Sequence, residues 1–460
     1  MALDARASGY AARVPDHELK AAGELAAEFA DRALISPIQS VHLGVAERVF
    51  SLVGRSGGSA EPTRVVHDRI SAGVYGAIRR GAAGIGVAVG AGSRFVGGEE
   101  ERTTLSDTGF GRGLQAAVNG LIGDELAERD NGLAIEMAVR LPGRDVEIER
   151  SALEAAFTRV TGRIAIFVHG LCEGEEAWWM GTRSDPSDAG AEPERAPRTY
   201  GQRLRDDLDF TPLYLRYNSG LHISANGRSL SWLLEDLCRE WPVPVEEVVL
   251  IGHSMGGLVA RSACHEAHEA HDGQEALGAH GVHEGAGRGW LERASHVICL
   301  GSPNTGSWLE KVVHVGTSAM RRAPETRGIA DFFDLRSDGI RDLRFGYLRD
   351  DDWLDADADE WLADRSEPLA PVPGVSYHFI SGSLARGPRN PLGHLLGDVL
   401  VRRESAMGPR TPDGAPAGDH RHVEGASHFH LLNHPDAYEH IREWIAGDRA
   451  EPGSLVSLKA

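Results

Sequence analysis

One stretch constrains this chain more than any other: EEVVLIGHSMGGLVARSACHEA, residues 246–267. Its first half is a short apolar run rich in β-branched residues, the signature of a strand buried on both faces. Its second half carries apolar residues at helical spacing. Between them stands Gly252-His253-Ser254-Met255-Gly256. A strand that becomes a helix within one residue must turn sharply, and a glycine on each side leaves room for that turn. The bare Gly-X-Ser-X-Gly pattern is weak, since a chain with this much glycine and serine yields roughly half an occurrence by chance. The junction gives it weight. A serine there is lifted above the sheet beside helix-start N–H groups, where it can act as a nucleophile.

The surrounding pattern is consistent with that turn. LAIEMAVR and DVEIE alternate with period two around the turn LPGRD and predict a β-hairpin near 133–149. A short helix over SALEAAF follows, then a buried strand over 163–170. Strands are expected over 211–220, 246–254, 295–303 and 375–383, with helices over 229–241, 255–267 and 434–447. A hairpin followed by βα alternation describes an α/β class: a mostly parallel sheet with helices on both faces. Residues 129–450 are assigned to that domain. Residues 1–128 predict a separate helical N-terminal region, and 318–372 is too long for a simple connection and is read as a lid or cap.

Bulk properties narrow the partners. The chain has 460 residues and a formal net charge of −20, which argues against nucleic acid and anionic membrane surfaces. Neutral lipids and small esters stay open. Cys172, Cys238, Cys264 and Cys299 have neither metal nor redox spacing and read as buried reduced thiols, as in a reducing cytoplasm. The N-terminus carries no signal-peptide core. GAAGIGVAVGAG at 81–92 is too short to span a bilayer, and tight helix packing is the favoured reading. Peripheral contact with a lipid surface, a cap and a homo-oligomer contact remain open roles for the N-terminal region.

A serine hydroxyl needs a base, an acid to orient that base, and N–H groups aimed at the oxyanion. The N–H of Met255 is one candidate donor. The strand end IFVHGLCEGEEAWW supplies the other through Leu171, and Trp178 and Trp179 are candidate contacts for an acyl chain. With VHG, GHSMGG, GSPNTGS, GDVLV and HFHLLNHP in this order, residues 130–447 resemble α/β-hydrolases of the lipase and GPI inositol-deacylase-like group. That resemblance implies the α/β-hydrolase fold, serine esterase chemistry without a cofactor, and the chain order Ser, acid, His. Between Gly374 and Gly397 there is no Asp or Glu, so the implied acid is Asp398, followed by Val399 where the family carries a second Gly; Glu404 is the fallback. The implied base is His428, separated by two residues from Leu431-Leu432, with His430 as the alternative. His434, just before Pro435, reads as a helix-start residue.

Other clusters compete poorly. The His-rich run at 265–285 reads as a solvated insertion after the nucleophile helix rather than a metal site. The acidic run at 349–367 places Trp353, Leu354, Trp361 and Leu362 on one helical face, favouring an amphipathic lid helix over a calcium site. No metal is expected. The sequence therefore predicts a carboxylic ester hydrolase acting on lipid-like acyl esters. An acyltransferase or thioesterase with the same triad, and a lipid-surface binding protein built on the fold, are the rivals.

Overall fold

A computed structural model describes residues 109–182, 198–277, 289–306, 337–354, 369–383, 401, 403–411, 414–426 and 428–447. Most of the expected N-terminal region, including 81–92, lies outside these residues, as does much of the expected lid and of the His-rich run.

Eight strands form one sheet: β1 (Ala138–Leu141), β2 (Arg144–Val146), β3 (Arg163–Val168), β4 (Thr211–Arg216), β5 (Glu247–His253), β6 (Ala294–Leu300), β7 (Ser376–Ser383) and β8 (Asp419–Glu424). Their spatial order is β2-β1-β4-β3-β5-β6-β7-β8. β1 is antiparallel to both neighbours, and every pairing from β4 to β8 is parallel. The expected hairpin is present but shorter than its alternating pattern.

The helices are α1 (Gly109–Glu128), α2 (Arg150–Ala156), α3 (Tyr200–Leu208), α4 (Ile223–Glu240), α5 (Met255–Leu277), α6 (Asp338–Asp342), α7 (Arg403–Ala406) and α8 (Pro435–Gly447). Successive strand residues point to opposite faces, so a strand buried on both sides feeds two cores. On β3, Ile164, Ile166 and Val168 join a cluster with Leu230 and Leu234 of α4 and Leu258 and Val259 of α5. Ala165 and Phe167 join the other cluster, with Leu204 of α3 and Tyr438 and Ile441 of α8. No helix among the described residues is long and apolar enough to cross a membrane.

The described residues fall in two compact units. One includes 109–115 and 125–134. The other holds the sheet, and 116–124 of α1 belong to it. Within that second unit, Gly123 gives its carbonyl to the Asn218 amide at 2.8 Å, and Asn119 accepts the Ile135 N–H at 2.9 Å. The helix kinks at Ile122, between Gly120 and Gly123.

Two expectations need correction. The acidic run does not begin as a helix presenting Trp353 and Leu354 on one face. Asp350–Asp352 is a single 3-10 turn in which Asp352 accepts the N–H groups of Leu348 and Arg349, while Asp350 pairs with Arg228. Trp353 stacks on His222 at 3.6 Å and Leu354 is exposed. In addition, α5 continues to Leu277, so the first part of the His-rich run extends the helix that follows Ser254.

Candidate active site

Ser254 sits between the last residue of β5 and the first of α5 with φ +52°, the left-handed region that L-residues other than glycine avoid. Holding a serine there costs on the order of 1–3 kcal/mol, so neighbouring contacts must enforce it. They do. A Cβ on Gly252 would come within 2.3 Å of the Gly257 nitrogen, and one on Gly256 within 2.2 Å of the Val168 carbonyl oxygen. The helix start is thus pressed against the ends of β5 and β3, and only glycine fits at either position. The Ser254 N–H donates to the Leu300 carbonyl at 2.8 Å, tying the turn to β6.

The end of β3 lies alongside. A Cβ on Gly170 would be 3.0 Å from the Ser254 Cβ. Leu171 follows, then Cys172 at φ +59°, whose N–H donates to the Ser219 hydroxyl at 3.1 Å. Among the described residues, neither the Leu171 N–H nor the Met255 N–H meets an acceptor.

Two buried histidines flank this geometry, and their partners assign their protons. His169 Nδ1 lies 2.8 Å from the Gly170 carbonyl and must donate to it, whereas Nε2 accepts the Tyr217 N–H at 3.3 Å. This ring is neutral, and burial pushes its pKa down to about 4. His253, whose side chain is fully buried, faces an oxygen acceptor from each ring nitrogen. Its Nδ1 lies 3.0 Å and 3.1 Å from the two Glu173 carboxylate oxygens, and its Nε2 lies 3.2 Å from the His428 carbonyl. One Glu173 oxygen also accepts the Gly170 N–H at 2.7 Å. Although burial works to raise the Glu173 pKa, the nearby His253 and the hydrogen bonds outweigh it, and the carboxyl titrates below its ordinary value.

His428 opens a 3-10 turn, His428–Leu431, beyond β8. Its side chain is buried, with its ring centroid 4.7 Å from that of His253. The turn is anchored from two sides. Leu431 and Leu432 enter the core, the Tyr200 hydroxyl donates to the Leu431 carbonyl at 2.6 Å, and the Asn433 amide donates to the Trp178 and Met180 carbonyls. His434 accepts the Asp436 N–H on Nδ1 at the start of α8, as its place before Pro435 suggests.

His430 is exposed. Glu404 lies in α7 and is exposed. Asp398 lies outside the described residues. Trp178 is buried against Phe167 with its ring 6.5 Å from His253, and Trp179 packs on Tyr214 at 4.6 Å. No cluster of His, Cys, Asp or Glu among the described residues could hold a metal ion. Sequence reasoning missed the Glu173–His253 pair. Its only signal was the position of Glu173, three residues beyond Gly170, among three glutamates in four residues.

A mostly parallel eight-stranded sheet, covered on both faces and bearing a left-handed serine at the junction of β5 and α5, defines the α/β-hydrolase fold. The model of the alpha/beta hydrolase family matches residues 165–441, and the chain belongs to that family. Solved structures similar to it include the mature lipase BlEst2 of Bacillus licheniformis (17% identity, 62% of this chain and 91% of that one, TM-score 0.36). The Staphylococcus hyicus lipase (13%, 63% and 95%, 0.33) and the esterase RhEst1 of a Rhodococcus species (14%, 62% and 92%, 0.29) are others. No curated protein sequence matches the chain.

Proposed function

We propose that this protein is a serine hydrolase of carboxylic esters, with Ser254 as nucleophile and His428 as base. The observation that carries the reading is Ser254 itself: a serine in a strained left-handed turn, pinned by two glycines that tolerate no side chain, at a helix start. Strain of this kind persists where a hydroxyl must be presented.

In this mechanism His428 takes the Ser254 proton as the oxygen attacks the acyl carbonyl. The carbonyl π electrons move onto oxygen, and the N–H groups of Leu171 and Met255 receive the oxyanion. The protonated ring then gives its proton to the leaving alcohol as the ester bond breaks. Water, activated by the same ring, releases the acid and restores the serine. Asp398 is the proposed partner of the His428 ring. Lipid-like acyl esters are the proposed substrate class, on the strength of the ordered motif set along the chain.

A fluorophosphonate probe tests this directly. Wild type should be labelled, and Ser254→Ala and His428→Ala should not. Hydrolysis of p-nitrophenyl esters from two to sixteen carbons, below and above the micellar concentration, should then favour long chains. An unlabelled wild type would end the proposal, and a preference for acetate would remove its lipid part.

A further inference from the structure

We infer that Glu173 is a positioning residue: paired with His253, it fixes the backbone of His428 on one side of Ser254 and the Gly170 turn on the other. The inference rests on the serine-hydrolase reading for its kinetic consequence, and on hydrogen-bond bookkeeping for its geometry.

Each contact of the pair has a forced direction. The Gly170 N–H can only donate, so the Glu173 oxygen 2.7 Å away accepts. The His428 carbonyl can only accept, so His253 Nε2, 3.2 Å away, carries a proton. An ionised Glu173 can only accept, so His253 Nδ1 carries one as well. His253 is therefore an imidazolium that donates from both nitrogens to two different loops. The depressed carboxyl pKa agrees with this assignment. The titratable groups facing the pair among the described residues include His169 from the end of β3, which is neutral, Cys172 of the same turn and Tyr217 beyond β4, both kept as neutral acids by burial, and His428 from the turn after β8.

The span of the network gives it consequence. Glu173 and Gly170 belong to the turn that carries Leu171, the proposed oxyanion donor. His253 immediately precedes the nucleophile. The His428 carbonyl belongs to the proposed base. One buried carboxylate thus ties the backbones of three parts of the site to each other. No covalent step passes through Glu173, and it does not touch the reacting atoms.

Three variants separate geometry from charge. In Glu173→Gln the amide oxygen can accept the Gly170 N–H while the amide nitrogen donates to Nδ1 of a neutral His253, and Nε2–H still reaches His428. All connections survive without the ion pair. Glu173→Met removes them at similar volume. Glu173→Asp keeps the charge and shortens the reach. For hydrolysis of a soluble p-nitrophenyl ester, kcat should fall about 100-fold in Glu173→Met with KM within about threefold, as expected of sub-ångström misplacement. Glu173→Asp should fall about 10-fold or more, and Glu173→Gln should stay closer to wild type than either. Imidazole 15N spectra at pH 7.5 should show both His253 nitrogens protonated in wild type and one in Glu173→Gln. If Glu173→Met does not fold, the Asp and Gln pair still decides the matter. Wild-type kcat in Glu173→Asp or in folded Glu173→Met, a lowered Tm with unchanged kcat, or a single protonated nitrogen on wild-type His253 would overturn the inference. If wild type neither hydrolyses esters nor takes the probe, the hydrolase reading fails instead; the imidazole spectrum then still tests the pair by itself.

Discussion

The ends of β3 and β5 differ in what each asks of its histidine. Both strands run parallel, in register from Arg163 opposite Glu247 to Val168 opposite Gly252; β5 finishes on a buried His, and a buried His directly follows β3. At β3, His169 accepts a backbone N–H, stacks on Tyr217 at 4.2 Å and stays neutral. At β5, His253 faces a carboxylate and a carbonyl and donates twice. The same residue type one strand apart is thus a packing element in one place and a charged clasp in the other. The chemistry of the partners decides which. β3 ends in a turn that only has to offer an N–H. β5 ends in a strained serine that has to be held against its neighbours.

The strongest way to break the contrast is to remove what the β5 end presents. Ser254→Ala should lower kcat on p-nitrophenyl esters by about 10⁶-fold, the scale on which a nucleophile's removal is felt in a triad enzyme, while the circular dichroism spectrum stays native. Loss of less than about 100-fold would mean that the hydroxyl is not the attacking group. Next comes the contact that presses the two ends together. Gly256→Ala places a Cβ 2.2 Å and 2.4 Å from the Val168 and His169 carbonyl oxygens, backbone atoms that cannot step aside. Urea denaturation should show a loss of about 3 kcal/mol or more, as for other overpacked cores.

Exchanging each histidine for phenylalanine then compares the two ends directly. His253→Phe leaves the buried Glu173 charge without its partner and should cost about 3–5 kcal/mol. His169→Phe leaves the Tyr217 N–H unpaired, while the Gly170 carbonyl keeps the Glu173 N–H at 3.3 Å; it should cost about 1–3 kcal/mol, with kcat within a few-fold of wild type. Equal losses in urea melts would erase the distinction between clasp and packing element.

How much of this was legible in the sequence follows the same divide. The buried strands and the serine turn were visible because a doubly covered strand needs a continuous apolar run and a sharp turn needs glycine. Motif order singled out His428 as the candidate base, and its residue lies where the turn after β8 meets His253. Propensity misled at the start of α4. The helix begins at Ile223 instead of the expected 229, through Asn226 and Gly227. Gly227 is tolerated because a Cβ there would stand 2.3 Å from the Ser262 hydroxyl of α5, a demand of helix packing that local preference does not record. Glu173 was missed for a related reason. In LCEGEEAWW nothing marks which glutamate will be buried. The fold gives Glu173 to His253 and Glu175 to Arg140 at 2.8 Å, and both partners are distant in sequence.

The pH dependence of stability separates the two ends by another route. His169 titrates near 4 when folded and near 6.5 when unfolded. The unfolded chain therefore binds a proton first as pH falls through 6.5, and the native state loses stability progressively down to pH 4. For a fully buried ring the full penalty is on the order of 3 kcal/mol. His169→Gln should flatten this part of the wild-type curve of unfolding free energy between pH 6.5 and 4. An unchanged slope would show that His169 is not held neutral.

The smallest expected effect isolates the strain itself. Ser254→Gly removes the Cβ that makes φ +52° unfavourable and leaves the hydrogen bond from residue 254 to Leu300 intact. The folded state should gain about 1 kcal/mol, less what glycine adds to the entropy of the unfolded chain. Ser254→Ala, which keeps the Cβ, should gain almost nothing, so the difference between the two variants in urea midpoint measures the backbone cost of presenting the nucleophile. If Ser254→Gly is no more stable than Ser254→Ala, the β5 end carries no stored strain, and its departure from the β3 end lies in the charged clasp alone.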